Sequence, residues 1–187
     1  MKKVLGVIGS PRKNGNTHVL VSRILEGVRS EGVSTDIIFL NDFSIMECDG
    51  CHYCWEKEKC VKKDDMSNLY DKIIESDVII FGTPVYWYGP TALMKSFIDR
   101  FVYFNGPKNR KKIKDKLAVI AVPFEEENDE TAAPVISFFE KSFNFLEIKL
   151  IGKVITPGVT LLGEVKKKKE YMDKAYKLGK KTAKTII

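Results

Sequence analysis

The 187-residue chain reads as a three-layer α/β domain on a parallel five-stranded sheet, and three observations predict it. Strand-like apolar runs alternate with helix-period segments from one end of the chain to the other, as in a doubly wound sheet. The runs are apolar at almost every position, as expected of strands covered on both faces. A polar, glycine-containing loop follows the first strand and opens the first helix, where such folds hold ligands.

Lys3-Val4-Leu5-Gly6-Val7-Ile8 is the first strand, and it ends at Gly9-Ser10-Pro11. Val21, Ile24, Leu25 and Val28 then recur at helical spacing until Gly32 provides a stop. Further strands are expected over 35–40, 77–82, 117–122 and 149–155, with helices at about 66–75, 91–104, 132–146 and 165–183. Right-handed crossovers leave few strand orders, of which 2-1-3-4-5 puts ligand loops after strands 1, 3 and 4. The connection from strand 2 to the helix at Met66 is long for this class and marks an added module at 46–62. No repeat or low-complexity linker divides the chain, so residues 1–187 are expected to form one domain.

A chain of this length buries a core without disulfides. Met1-Lys2-Lys3 leads directly into a strand, and no apolar stretch approaches membrane-spanning length. The expectation is a cytoplasmic, reduced protein with no membrane role. Glutamine is absent and lysine dominates the basic side, a composition found where heat selects for ion pairs and against labile amides. The net charge of +6 can steer acidic carriers or nucleotides to the surface, although Lys166 to Lys169 also reads as a solvated face. No stretch alternates aromatic with basic residues as a nucleic-acid platform would, so nucleic acid is not an expected partner.

The loop Ser10-Pro11-Arg12-Lys13-Asn14-Gly15-Asn16-Thr17 stands where backbone N–H groups and the positive helix end can hold a phosphate. Ser10, Asn14, Asn16 and Thr17 offer polar donors, Gly15 lets the backbone turn closely, and Arg12 adds charge. Asn16 and Thr17 would serve equally as ordinary N-caps. Neither a Walker loop nor Gly-x-Gly-x-x-Gly is present, which argues against a nucleotide triphosphatase or a dinucleotide-binding domain. After strand 3, Gly82-Thr83-Pro84-Val85-Tyr86-Trp87-Tyr88-Gly89-Pro90 places three aromatics in a turn. Such apolar surface calls for something flat to cover, such as an isoalloxazine ring, or for another subunit.

All four cysteines lie within Cys48-Asp-Gly-Cys51-His-Tyr-Cys54-Trp-Glu-Lys-Glu-Lys-Cys60. Four thiolates are what a 4Fe-4S cubane requires. A structural zinc site, a disulfide pair and a metal-free dithiol are the competing readings, though zinc sites usually separate two Cys-x2–4-Cys pairs by a longer finger. His52, between two candidate ligands, could tune such a centre or simply neighbour it, and His18 in the first helical turn could simply face solvent. After strand 4, Pro123-Phe124-Glu125-Glu126-Glu127-Asn128 stands where folds of the family this chain resembles, named below, close over a flavin. Its carboxylates would disfavour an anionic reduced ring, or else form an exposed acidic turn.

These residues together carry a resemblance to the NADPH-dependent FMN reductase and flavodoxin-like group, and within it to the iron-sulfur flavoproteins. Gly9 to Arg12 with Asn14 to Thr17 looks like the family's FMN phosphate loop. Thr83 to Trp87 looks like its flavin-ring loop, which extends the flavin contact over Pro84, Val85, Tyr86, Trp87, Tyr88 and Gly89. Leu93-Met94-Lys95 and Phe97-Ile98-Asp99-Arg100 fit the helix that follows. Cys48, Cys51, Cys54 and Cys60 align with the motif that ligates the 4Fe-4S cluster.

The resemblance implies a flavodoxin-like fold, non-covalent FMN and a homodimer or homotetramer with FMN at subunit interfaces. In iron-sulfur members the cluster approaches the flavin of a neighbouring subunit. The implied function is electron transfer from ferredoxin or a similar carrier to a quinone, oxygen or peroxide, with no side chain acting as acid or base. An NAD(P)H-dependent FMN or quinone reductase without a cluster is the second reading. A zinc-stabilised binding module is the third.

Overall fold

The computed structural model describes residues 2–187. In chain order the elements are β1 (Lys3–Ile8), α1 (Asn16–Arg29), β2 (Ser34–Phe39), α2 (Tyr53–Lys57), α3 (Met66–Glu75) and β3 (Val78–Gly82). They continue as α4 (Ala92–Asp99), α5 (Val102–Asn105), β4 (Leu117–Pro123), α6 (Ala133–Phe145), β5 (Lys149–Thr156) and α7 (Lys169–Ile186). All strands pair in parallel, in the order β2-β1-β3-β4-β5 expected from the sequence. This is the flavodoxin-like order, in which the strand sequence reverses between β1 and β3 and opens a crevice at their carboxyl ends.

Alternate residues of each strand enter opposite cores, as the two-residue period of a strand requires. Leu5, Val7, Ile79, Phe81 and Ile120 face α3 to α6, where Phe81 packs 4.8 Å from Phe143, centroid to centroid. Val4, Ile8, Ile80 and Val119 face α1 and α7. Burying a side chain such as Phe81 contributes about 1.5–3 kcal/mol, so the central strands are held from both sides. On the second face α1 and α7 meet at backbone distance. A Cβ on Gly179 would lie 1.9 Å from the Ile24 carbonyl oxygen, and one on Gly27 would lie 2.1 Å from that of Tyr176.

Two expected helices differ in outcome. The helix expected over 91–104 breaks after Asp99, and α5 resumes at Val102. The Arg100 carbonyl accepts from the Tyr70 hydroxyl at 3.0 Å and from the Tyr103 N–H at 3.1 Å. The break turns Phe101, Tyr103 and Phe104 into the core together with the Arg100 side chain. The last helix starts at Lys169 and not at 165, because a 3-10 turn, Glu164–Lys167, precedes it. There the Val165 N–H is drawn to Asn16 Oδ1 at 3.0 Å. Among the described residues no helix is long and apolar enough to cross a membrane.

Candidate functional site

At the carboxyl edge of the sheet a cleft opens between four loops. The β1–α1 loop contributes Ser10, Arg12, Gly15, Asn16 and Thr17; the β3–α4 loop contributes Pro84, Val85 and Tyr86; the β4–α6 loop contributes Pro123, Phe124 and Glu125. The fourth wall, Val159 and Thr160 of the β5–α7 loop, was not foreseen from the sequence. The turn at Pro157-Gly158, with Gly158 at φ +63°, was a signal available for it, since every strand-to-helix loop of such a sheet reaches this edge.

Gly15 is the N-cap of α1, and no side chain caps that end. The first-turn N–H groups therefore stay available to an anion, and the helix dipole favours one there. A Cβ on Gly15 would sit 3.0 Å from both the Cβ and the carbonyl oxygen of Arg12, so a side chain there fits only if the Arg12 segment shifts. Ser10 and Thr17 are buried, with the Ser10 hydroxyl accepting the Arg12 N–H at 3.3 Å. Asn14 holds a left-handed backbone at φ +63° and donates its N–H to His18 Nδ1 at 3.0 Å. Burial, and after it the charge of Lys166, lowers the His18 pKa, which keeps that nitrogen free to accept.

Asn16 is committed within the protein. Its Nδ2 donates to the carbonyls of Val159 at 3.3 Å and Leu161 at 3.0 Å, while Oδ1 accepts from Val165. Its amide thus ties the start of α1 to the β5–α7 loop and leaves its backbone N–H for a ligand. Arg12 makes the same crossing, donating to the Thr160 carbonyl at 3.3 Å.

In the aromatic loop Tyr86 and Gly89 exchange backbone hydrogen bonds of 2.9 and 3.0 Å around Trp87 and Tyr88, whose φ angles are +50° and +60°. This is the geometry of a tight two-residue turn, normally given to glycine and asparagine. Tyr86 reaches the cleft wall; Trp87, Tyr88 and Gly89 stand beyond it, and Trp87 is 97% exposed. Asn14 also lies outside the cleft lining. The loops are coupled, since the Thr91 hydroxyl donates to the Gly9 carbonyl and accepts the Met94 N–H at 3.2 Å, capping α4.

The cysteine loop lies apart from this cleft and contains α2. All four cysteines are free; Cys54 is buried, Cys51 exposed, and Cys48 and Cys60 are intermediate. His52 stacks on Trp55 at 4.0 Å. Trp55 Nε1 donates to the Val102 carbonyl at 2.8 Å, and Asn109 Nδ2 to the Cys54 carbonyl at 3.2 Å. Burial, then the charges of Cys60, Cys48 and Cys51, push the Cys54 thiol up to about 11. The other three sulfurs are therefore each within electrostatic reach of Cys54, and a bound cation would relieve that repulsion.

Among the described residues no three His, Cys, Asp or Glu side chains are gathered closely enough to hold a metal ion. A zinc ion needs its thiolates drawn to about 2.3 Å from one point, whereas a cubane spreads four thiolates around a larger body. In number, kind and free state the donors match a four-thiolate centre, which the cysteine loop would have to close around.

A family model described as NADPH-dependent FMN reductase matches residues 2–134. An iron-sulfur flavoprotein of Archaeoglobus fulgidus is 32% identical over 182 residues, covering 97% of this chain and 79% of that protein. An iron-sulfur flavoprotein of Methanocaldococcus jannaschii is 43% identical over 98 residues, which span 52% of this chain and about half, 51%, of that relative. Among solved structures, the NAD(P)H:quinone oxidoreductase of Methanothermobacter marburgensis shares the fold, with a TM-score of 0.72 at 16% identity over 95% of this chain and 93% of the other.

Proposed function

The chain belongs to the NADPH-dependent FMN reductase family, a family of FMN-dependent oxidoreductases, and we propose that it transfers electrons through FMN and a 4Fe-4S cluster. One observation carries this reading: a single chain combines a cleft ending on an uncapped helix N-terminus with four free cysteines inside 13 residues. Relatives named iron-sulfur flavoproteins support it.

Bound FMN supplies two-electron storage and the cluster single-electron exchange. The protein's part is to bind, orient and exclude water. The first-turn N–H groups of α1, with the Ser10 and Thr17 hydroxyls, bind the FMN phosphate. Backbone from Pro84 to Tyr86 orients the ring, and Val85, Phe124 and Val159 provide apolar wall. Glu125 at the cleft disfavours added negative charge on the ring and so holds its potential down. Cys48, Cys51, Cys54 and Cys60 hold the cluster.

The donor is an acidic carrier such as ferredoxin, drawn by the basic surface, and the acceptor a quinone, oxygen or peroxide, in a cytoplasmic homodimer or homotetramer.

A second reading, an NAD(P)H-dependent FMN or quinone reductase without a cluster, draws on the family model and on the ungathered thiols. Iron, acid-labile sulfide and FMN per chain, measured in protein purified without oxygen, decide between the two. About four irons with matching sulfide are expected, together with loss of most cluster absorbance and retention of FMN in Cys51→Ser. FMN without iron or sulfide leaves the reductase reading.

A further inference from the structure

Arg100 heads the fully buried side chains by size, yet no part of the flavin cleft uses it. Its guanidinium points into the cysteine loop and to Asp64 just past it, with Tyr70 of α3 close by. Nη1 donates to the Met46 carbonyl at 2.9 Å and pairs with Asp64 Oδ2; Nη2 donates to Asp64 Oδ1 at 3.3 Å and to Cys60 Sγ at 3.2 Å. The two charged side chains are 1% and 2% exposed. Asp64 also accepts the N–H groups of Met46 at 2.8 Å and Met66 at 3.3 Å. One fork thus grips Met46, two residues before the first cysteine, Asp64, just past the end of the loop, and the last sulfur.

We infer that Arg100, paired with Asp64, is the positioning residue of the cysteine loop, closing its two ends together and presenting an N–H donor to the Cys60 sulfur. Burying an arginine and a carboxylate is costly unless each hydrogen-bonding position is filled. Here the positions are filled by groups that define the loop's closure. The planar fork reaches three acceptors at once, which a lysine ammonium on a flexible stem does not reproduce. The second half of the inference rests on the cluster reading. A donor to a ligating thiolate withdraws electron density and raises the potential of the centre, since hydrogen bonds to the sulfurs are among the factors that set it.

The test compares wild type with Arg100→Lys, which keeps a charge opposite Asp64, and with the double variant Arg100→Met/Asp64→Leu, which removes both charges. Protein purified without oxygen is exposed to a ferrous chelator, and the midpoints of cluster and flavin are measured separately. Metal-free protein is digested with trypsin, whose sites Lys57 and Lys59 lie exposed in the loop. Both variants are expected to bind FMN normally, to lose iron about 10- to 100-fold faster and to be cut faster at Lys57 and Lys59. The cluster midpoint should move to more negative values while the flavin midpoint stays.

Wild-type iron loss, midpoint and cleavage in both variants overturn the inference while leaving the cluster reading intact. Faster cleavage with an unmoved cluster midpoint overturns the hydrogen bond to sulfur. Wild-type protein without iron removes the cluster reading, and the cleavage rates then decide by themselves whether the pair closes the loop.

Discussion

The cleft and the cysteine loop are held in place by different means. The cleft is walled by loops that leave adjacent parallel strands, and its anchor is an uncapped helix end. The cysteine loop contains only a five-residue helix and is fastened by side chains from distant segments: Arg100 to Asp64 across 36 residues, Trp55 to Val102 across 47, and Asn109 to Cys54 across 55. A site made of strand ends has the sheet's stability, while an inserted loop has only its fastenings. Point substitutions are therefore expected to uncouple the two regions.

The largest effect should come from Asp64→Ala, which leaves Arg100 buried without its counter-charge and costs about 3–5 kcal/mol. Urea unfolding measures it, and a change below about 1 kcal/mol would show that the fastening matters less than its burial implies. Next is Asn16→Leu, which removes three hydrogen bonds between α1 and the β5–α7 loop. With the part-buried hydrogen bonds to Val159 and Val165 lost, at a cost of about 1 kcal/mol, FMN should bind several-fold more weakly while iron content stays unchanged. Equal losses of both cofactors would contradict the separation of the regions.

Acid should separate them more gently. Burial works to raise the Asp64 pKa, but pairing with Arg100 and the N–H of Met46 prevail and hold it below the usual carboxylate value. Its contribution is present above the unfolded value and is lost as pH falls below about 4. His18 has a lowered pKa, through burial and then Lys166. The unfolded state therefore takes up the proton first, and stability at the cleft falls as pH drops below about 6.5. Amide hydrogen exchange followed against pH should show the β1–α1 loop softening before the cysteine loop, and the reverse order would refute the assignment.

Smallest of all should be Trp87→Ala, within about 0.5 kcal/mol of wild-type stability, because the exposed ring packs on nothing in its own chain. Sedimentation should instead report weaker self-association, if the ring meets a neighbouring subunit.

Much of this was legible in the sequence. The apolar runs fixed which segments are strands, crossover handedness left few orders, among which the position of the ligand loops picked the one observed, and turn chemistry located the first-strand loop. Ser10, Arg12, Gly15, Asn16 and Thr17, with Pro84 to Tyr86, Pro123 and Phe124, all line the cleft. These features are local: a period of two or 3.6 residues and a glycine at a turn are written within a few positions of where they act.

Other features depended on which segments meet. Trp87 and Tyr88 shared the aromatic pattern of Tyr86, yet the tight turn directs them away from the lining. Asn16 looked like a free donor until the β5–α7 loop arrived to occupy its amide. Arg100 continued a helical pattern and gave no sign that the helix would stop there. Its role follows from burial beside Asp64 and Cys60, and only tertiary packing decides which distant acceptors a buried guanidinium meets. From its sequence alone the protein's fold and most of the residues that line its cleft could be read; the partners of its buried polar groups came from the folded chain, because desolvation makes those pairings compulsory only once the segments are packed together.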